Sequence, residues 1–201
     1  MTDNPRTLAE TALTLIDDAF AGRMPPPAMS DSLQLSDVEY DEVMSFEGKK
    51  WPDVAFDQVE KNADAVFWFA PEAFCYYLPG FLDAGLKADR RDSNAYDALI
   101  GMLDRSPEPD YWDDFFAPRW TLLSVAEIEA VRAWLRWFAA VEPGVFRGNT
   151  FERVDGTLTL LRRRREEHGL LMPIDLPTRA RPATCAPDAR LRRSPRRSNP
   201  A

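Results

Sequence analysis

The sequence predicts a mainly α-helical protein: a single compact helical domain with at most one short extended segment, followed by a disordered C-terminal tail. Three observations carry this expectation. Apolar residues recur at spacings of three and four along much of the chain before position 168, as amphipathic helices require. Two Ser-x-x-Glu patterns, Ser36 to Glu39 and Ser124 to Glu127, have the form of capping boxes that open helices. After Gly169 the composition turns to Pro, Arg, Ala and Ser, which cannot bury enough apolar surface to offset the entropy of ordering. The expected boundaries are 7–167 for the helical domain and 168–201 for a basic Pro/Arg-rich tail.

Taken in order, Leu8, Ala12, Leu15, Ile16, Ala19 and Phe20 place one apolar stripe on a helix from Thr7 to Ala21. Gly22 and the run Pro25-Pro26-Pro27 end it. The first capping box opens a short acidic helix through Asp41 to Met44, and Gly48 makes the next turn. Trp51-Pro52-Asp53 leads into a helix near Val54 to Val59. Val66-Phe67-Trp68-Phe69 is β-branched and aromatic and reads as an extended segment entering the core. Pro71 suits a first helical turn, with Glu72 at the positive helix end. Phe74, Tyr77, Leu78, Phe81, Leu82 and Leu86 continue that helix, which Pro79 is expected to kink or restart.

Ser93 caps a helix from Tyr96 to Leu103, and Ser106 to Pro118 forms a Pro-, Asp- and aromatic-rich connection. The second capping box opens the most regular helix, with Ile128, Val131, Leu135 and Phe138 on its apolar face. Pro143-Gly144 stops it, and a last helix runs from Phe151 to Glu167, weakened by Gly156.

Charge is unevenly distributed. The formal net charge is −8, yet Arg162 to Ala201 holds eleven arginines against four carboxylates, a net of +7. The preceding 161 residues therefore carry −15. Such a body repels nucleic acid and anionic membranes and attracts basic partners. Nucleic-acid binding is expected only through the tail, which lacks aromatics for base stacking. The start of the chain has no basic n-region and no apolar run, and no stretch is apolar enough to span a bilayer. A soluble, cytoplasmic, membrane-free protein is expected, and the preference for Arg over Lys fits a GC-rich bacterial genome.

The block Pro71-Glu72-Ala73-Phe74-Cys75-Tyr76-Tyr77-Leu78-Pro79-Gly80-Phe81-Leu82 resembles a bacterial family known only as a domain of unknown function. Its members carry a proline–glutamate–alanine–phenylalanine run followed by tyrosine–leucine–proline. Leu15 to Phe20 resembles the family's opening helix, and Gly48-Lys49-Lys50-Trp51 its glycine–lysine–x–tryptophan turn. Arg119 to Ser124 resembles the segment before its last shared helix. The likeness covers Thr11 to Phe138, stops before the tail and implies no activity.

No residue is expected to be catalytic. Cys75 has no histidine to activate it, and His168, the single histidine, stands beside Gly169 without a positioned partner. Two distant cysteines, Cys75 and Cys185, with no CxxC or Cys/His ligand spacing, point to neither a disulfide framework nor a zinc site. No cofactor and no metal is expected. The break at Pro79 places Tyr76 and Tyr77 where hydroxyls can sit beside apolar surface. Arg119, with its fixed fork of donors, and Trp120 can approach the same region. The expected ligand or partner site is thus a shallow groove of Tyr76, Tyr77, Pro79, Arg119 and Trp120. Arg119 is also expected to pair with a carboxylate such as Glu72.

Two function classes follow. One is a non-enzymatic interaction or accessory module, immunity-like in its use of an acidic surface against a basic protein. The other is a carboxylate- or divalent-metal-dependent enzyme drawing on Asp110, Asp113, Asp114 and Glu72.

Overall fold

A computed structural model describes residues 4–32 and 34–168. The tail expected beyond His168, with Cys185 in it, lies outside the described residues, as does the side chain of His168. The described residues form nine α-helices and two 3₁₀ turns, with no strand among them. The helices are α1 (Pro5–Phe20), α2 (Asp37–Met44), α3 (Phe56–Lys61), α4 (Ala65–Trp68), α5 (Pro71–Ala88), α6 (Asn94–Leu103), α7 (Phe116–Trp120), α8 (Val125–Val141) and α9 (Thr150–His168). None is long and apolar enough to cross a membrane.

Local side-chain-to-backbone bonds set the starts of α1, α2, α6 and α8. Asn4 accepts from the Arg6 N–H and Pro5 occupies the first turn, so α1 begins two residues before the expected Thr7. Both capping boxes form as expected, Ser36 with Glu39 on α2 and Ser124 with Glu127 on α8. Ser93 accepts from the Ala95 N–H and opens α6. Trp51–Asp53 is a 3₁₀ turn, and the helix expected to follow it begins at Phe56.

The extended segment expected at Val66 to Phe69 is instead a single helical turn, α4, with only Phe69 extended at its end. The Phe67 N–H donates to Asp64 O and the Phe69 N–H to Ala65 O. With no neighbouring strand to pair with, the backbone satisfies itself locally, overriding the β preference of the side chains. The connection from Ser106 to Pro118 also gains structure: a 3₁₀ turn at Pro109–Tyr111 and the start of α7.

Helix α5 is the centre of the core. Every residue from Ala73 to Leu86 is buried, which matches a helix that is apolar around its whole circumference. It does not restart at Pro79 but runs unbroken from Pro71 to Ala88. The packing on all sides holds the turn that the missing Pro79 N–H leaves unbonded. The Trp51 turn, α1, α3 and α7 pack on α5, α1 lies along α8, and α9 covers α8 and α6. Stacked and edge-on aromatic pairs tie these layers, such as Phe69 with Tyr77 and Tyr96 with Trp134.

Two glycines let neighbours approach α5 closely. A Cβ at Gly80 would lie 2.8 Å from the Trp51 carbonyl oxygen, and one at Gly85 1.7 Å from Tyr96 Oη and 2.7 Å from the Arg90 carbonyl oxygen. Gly85→Ala is therefore expected to cost about 1–3 kcal/mol in urea unfolding, as overpacked cores do. On α6, a Cβ at Gly101 would meet nothing within 4 Å. Gly101→Ala should instead stabilise by about 0.4–1 kcal/mol, by restricting the unfolded chain. Equal effects at both positions would mean that the contact at Gly85 is not a constraint.

Candidate functional site

The groove expected from the sequence does not exist. Tyr76, Tyr77, Arg119 and Trp120 are 3%, 1%, 6% and 0% exposed, and Pro79 is buried with them. The Tyr77 hydroxyl donates to Phe46 O at 2.6 Å and lies 3.2 Å from Lys49 O. Burial, with Tyr76 and then Glu47 adding to it, pushes this phenol up to about 12. Trp120 meets Phe74 edge-on and stacks on Phe116. Residues expected to rim a groove close the core, because α5 has no solvent face over this stretch.

Arg119 does not pair with Glu72, which is exposed. Its Nε and Nη2 donate to Phe69 O at 3.1 and 2.7 Å, and its Nη1 to Phe115 O at 2.9 Å. The guanidinium also lies 4.2 Å from the centroid of the Phe115 ring. Asp31, the carboxylate it faces, stands 4.0 Å away and is largely exposed. Burial lowers the pKa of Arg119, with Asp31 opposing. The side chain thus fastens α7 to the end of α4 through backbone carbonyls.

Cys75 is fully buried, and its thiol lies 3.4 Å from Arg119 O. Burial pushes it up to about 12, against Arg23 and with Glu127 and Glu72 adding to the rise. A thiol so rarely ionised is a poor nucleophile. The carboxylates of the alternative enzyme reading do not converge either. Asp113 accepts from the Phe116 N–H at 2.7 Å and faces Arg105 at 3.3 Å, while Asp110 and Asp114 are exposed. Among the described residues no group of three or more His, Cys, Asp or Glu is placed to hold a metal ion.

One buried acid is set apart by its environment. Asp83 on α5 is 1% exposed and ion-paired with Lys87. Burial raises its carboxyl above the ordinary 3.8, with Lys87 opposing and Asp17 adding to the rise. A carboxyl that holds its proton more tightly folded than unfolded costs nothing below 3.8, and its cost grows as pH rises from there to the raised folded value. Asp83→Asn removes that titration. Relative to wild type, the variant should gain urea stability as pH rises from about 3 to about 7. A difference that stays flat across that range would show that the carboxyl ionises equally well in both states.

A surface opening lies where the chain enters α2. Met29, Ser30, Ser32, Leu35, Tyr40, Val43, Met44 and Glu47 enclose about 300 Å³, the small end of ligand-pocket volumes. Helix α2 reaches the core through Val43, its one buried residue. It leaves Val38 68% and Tyr40 54% exposed. Asp37, Asp41 and Glu47 are exposed, and none makes an ion pair among the described residues. Partial burial first, then Asp64 and Glu39, raises the Glu42 carboxyl, so this helix gathers negative charge without compensation. The sequence displays the acids, but not the pocket beside them. No protein-family model, curated protein or solved structure matches the chain.

Proposed function

We propose that this protein works by binding, as an accessory module whose acidic body engages a basic protein partner. The observation that carries this reading is the uncompensated acidic helix α2 beside a pocket that mixes apolar side chains with Ser30, Ser32 and Glu47. Surface carboxylates without countercharges gain most from a cationic partner and steer its approach. The inert Cys75 and the solvent-exposed Asp110, Asp113 and Asp114 support binding over chemistry. An escorting or neutralising role of the immunity-protein kind fits the same charge pattern.

The experiment is capture from a lysate of the native host on the immobilised full chain, at low and at high salt, with mass spectrometry of what is retained. A basic protein held at about 50 mM salt and released at about 300 mM is expected, because screening shortens the reach of surface charge. Retained proteins with no basic bias, or a capture indifferent to salt, would sink the proposal.

A further inference from the structure

The geometry points to the α2 pocket as the docking site for a basic peptide segment of that partner, one that carries a single apolar anchor flanked by lysines or arginines. This rests on the binding reading above and assigns it a place and a ligand chemistry. Tyr40, Val43 and Met44 line the opening from one face of α2, and Glu47 lines it from the turn that follows the helix. Asp37 stands three residues before Tyr40 and Asp41 three before Met44, so each acid neighbours one lining residue along the helix. Apolar walls from Met29, Leu35, Val43 and Met44 therefore meet Glu47 in the lining, with exposed Asp37 and Asp41 on the same short helix as Tyr40.

The volume suits one anchoring side chain rather than a large ligand, and peptide recognition concentrates its energy in such anchors. Charge complementarity selects the flanking residues. An acidic segment would set like charge against Glu47 and the exposed acids of α2, whereas lysines or arginines attract them. The ring of Tyr40, half-exposed at the mouth, offers a face to a cation and an edge to the anchor. Its position at the surface also means that it can be changed without unfolding the domain.

The test uses the full chain and a fluorescent synthetic peptide with lysines flanking one leucine, beside a counterpart with serine in place of leucine. Binding is read by anisotropy at low salt. The leucine peptide should bind at least about tenfold tighter than the serine peptide, and Tyr40→Ala and Asp41→Lys should each weaken it about tenfold. Glu152→Lys makes the same charge change on exposed α9 and should leave affinity within about threefold. Circular dichroism confirms that each variant is folded.

Equal weakening by Glu152→Lys would overturn the assigned site, leaving general attraction to an acidic body. Indifference to the leucine would overturn the anchor. Failure of the peptide to bind would overturn the inference, while the binding reading would stand or fall on the host capture alone. Concentration-dependent self-association in sedimentation, abolished by Asp41→Lys, would assign the pocket to a second copy and overturn the peptide proposal.

Discussion

Glu127→Ala is expected to remove about 3–5 kcal/mol of stability, the usual cost of breaking a buried ion pair from one side. Glu127 is 3% exposed and accepts three hydrogen bonds. Arg23 Nε and Nη2 donate to its two oxygens at 2.5 and 2.7 Å, and the Ser124 N–H donates at 2.7 Å. One side chain thus closes the capping box of α8 and anchors the chain that leaves α1. Arg23 Nη2 also donates to Leu122 O at 3.0 Å, so the guanidinium joins both sides of the α8 start. Truncating Glu127 strands a half-buried cation and frees a helix donor. Glu127→Gln keeps the size and an acceptor for the Ser124 N–H, and should cost less than the alanine variant. Urea unfolding measures both. A loss below about 1 kcal/mol for Glu127→Ala, the worth of an exposed pair, would mean that solvent screens this contact.

Such a pair shows what a single sequence conceals. Both capping boxes were legible because cap and helix lie three residues apart, and the partners are side chain and local backbone. The Arg23–Glu127 contact joins residues 104 apart, and nothing local distinguishes Arg23 from any other loop arginine. Arg119 was legible as a fixed fork of donors, but neither its burial nor its partners were. Those are the carbonyls of Phe69 and Phe115, groups that every residue possesses.

Helix α5 misled for a different reason. Reading Tyr76 as a rim residue assumed an amphipathic helix, whereas Ala73 to Leu86 is buried all round. The block from Pro71 to Leu82 lies in this same central helix. Its proline, aromatic and glycine residues have structural roles here: Pro71 starts the helix, Tyr77 fastens the Phe46–Lys49 turn, and Gly80 admits the Trp51 carbonyl. The α2 pocket was half legible. The acids stand in the sequence, but which helix face stays uncovered depends on where distant segments pack.

Leu135→Ala tests the part of the core that the sequence located most directly. Ile128, Val131, Leu135 and Phe138 were assigned to the buried face of α8 by their spacing, and all four are at most 1% exposed. Helix α8 lies along α1, whose Ala12, Ile16 and Phe20 are fully buried. Trp134, beside Leu135 in sequence, is itself at 0% and stacks on Phe138. Rigid aromatic neighbours close poorly around a missing isobutyl group, so a cavity should persist where Leu135 stood. The variant is expected to lose about 2–5 kcal/mol in urea unfolding, with the slope against denaturant unchanged. Ala133, at the partly buried edge of the same helix, provides the comparison: Ala133→Ser adds a hydroxyl that water can reach and should cost under about 1 kcal/mol. A Leu135→Ala loss under about 0.5 kcal/mol would mean that the α1–α8 contact does not hold the fold together.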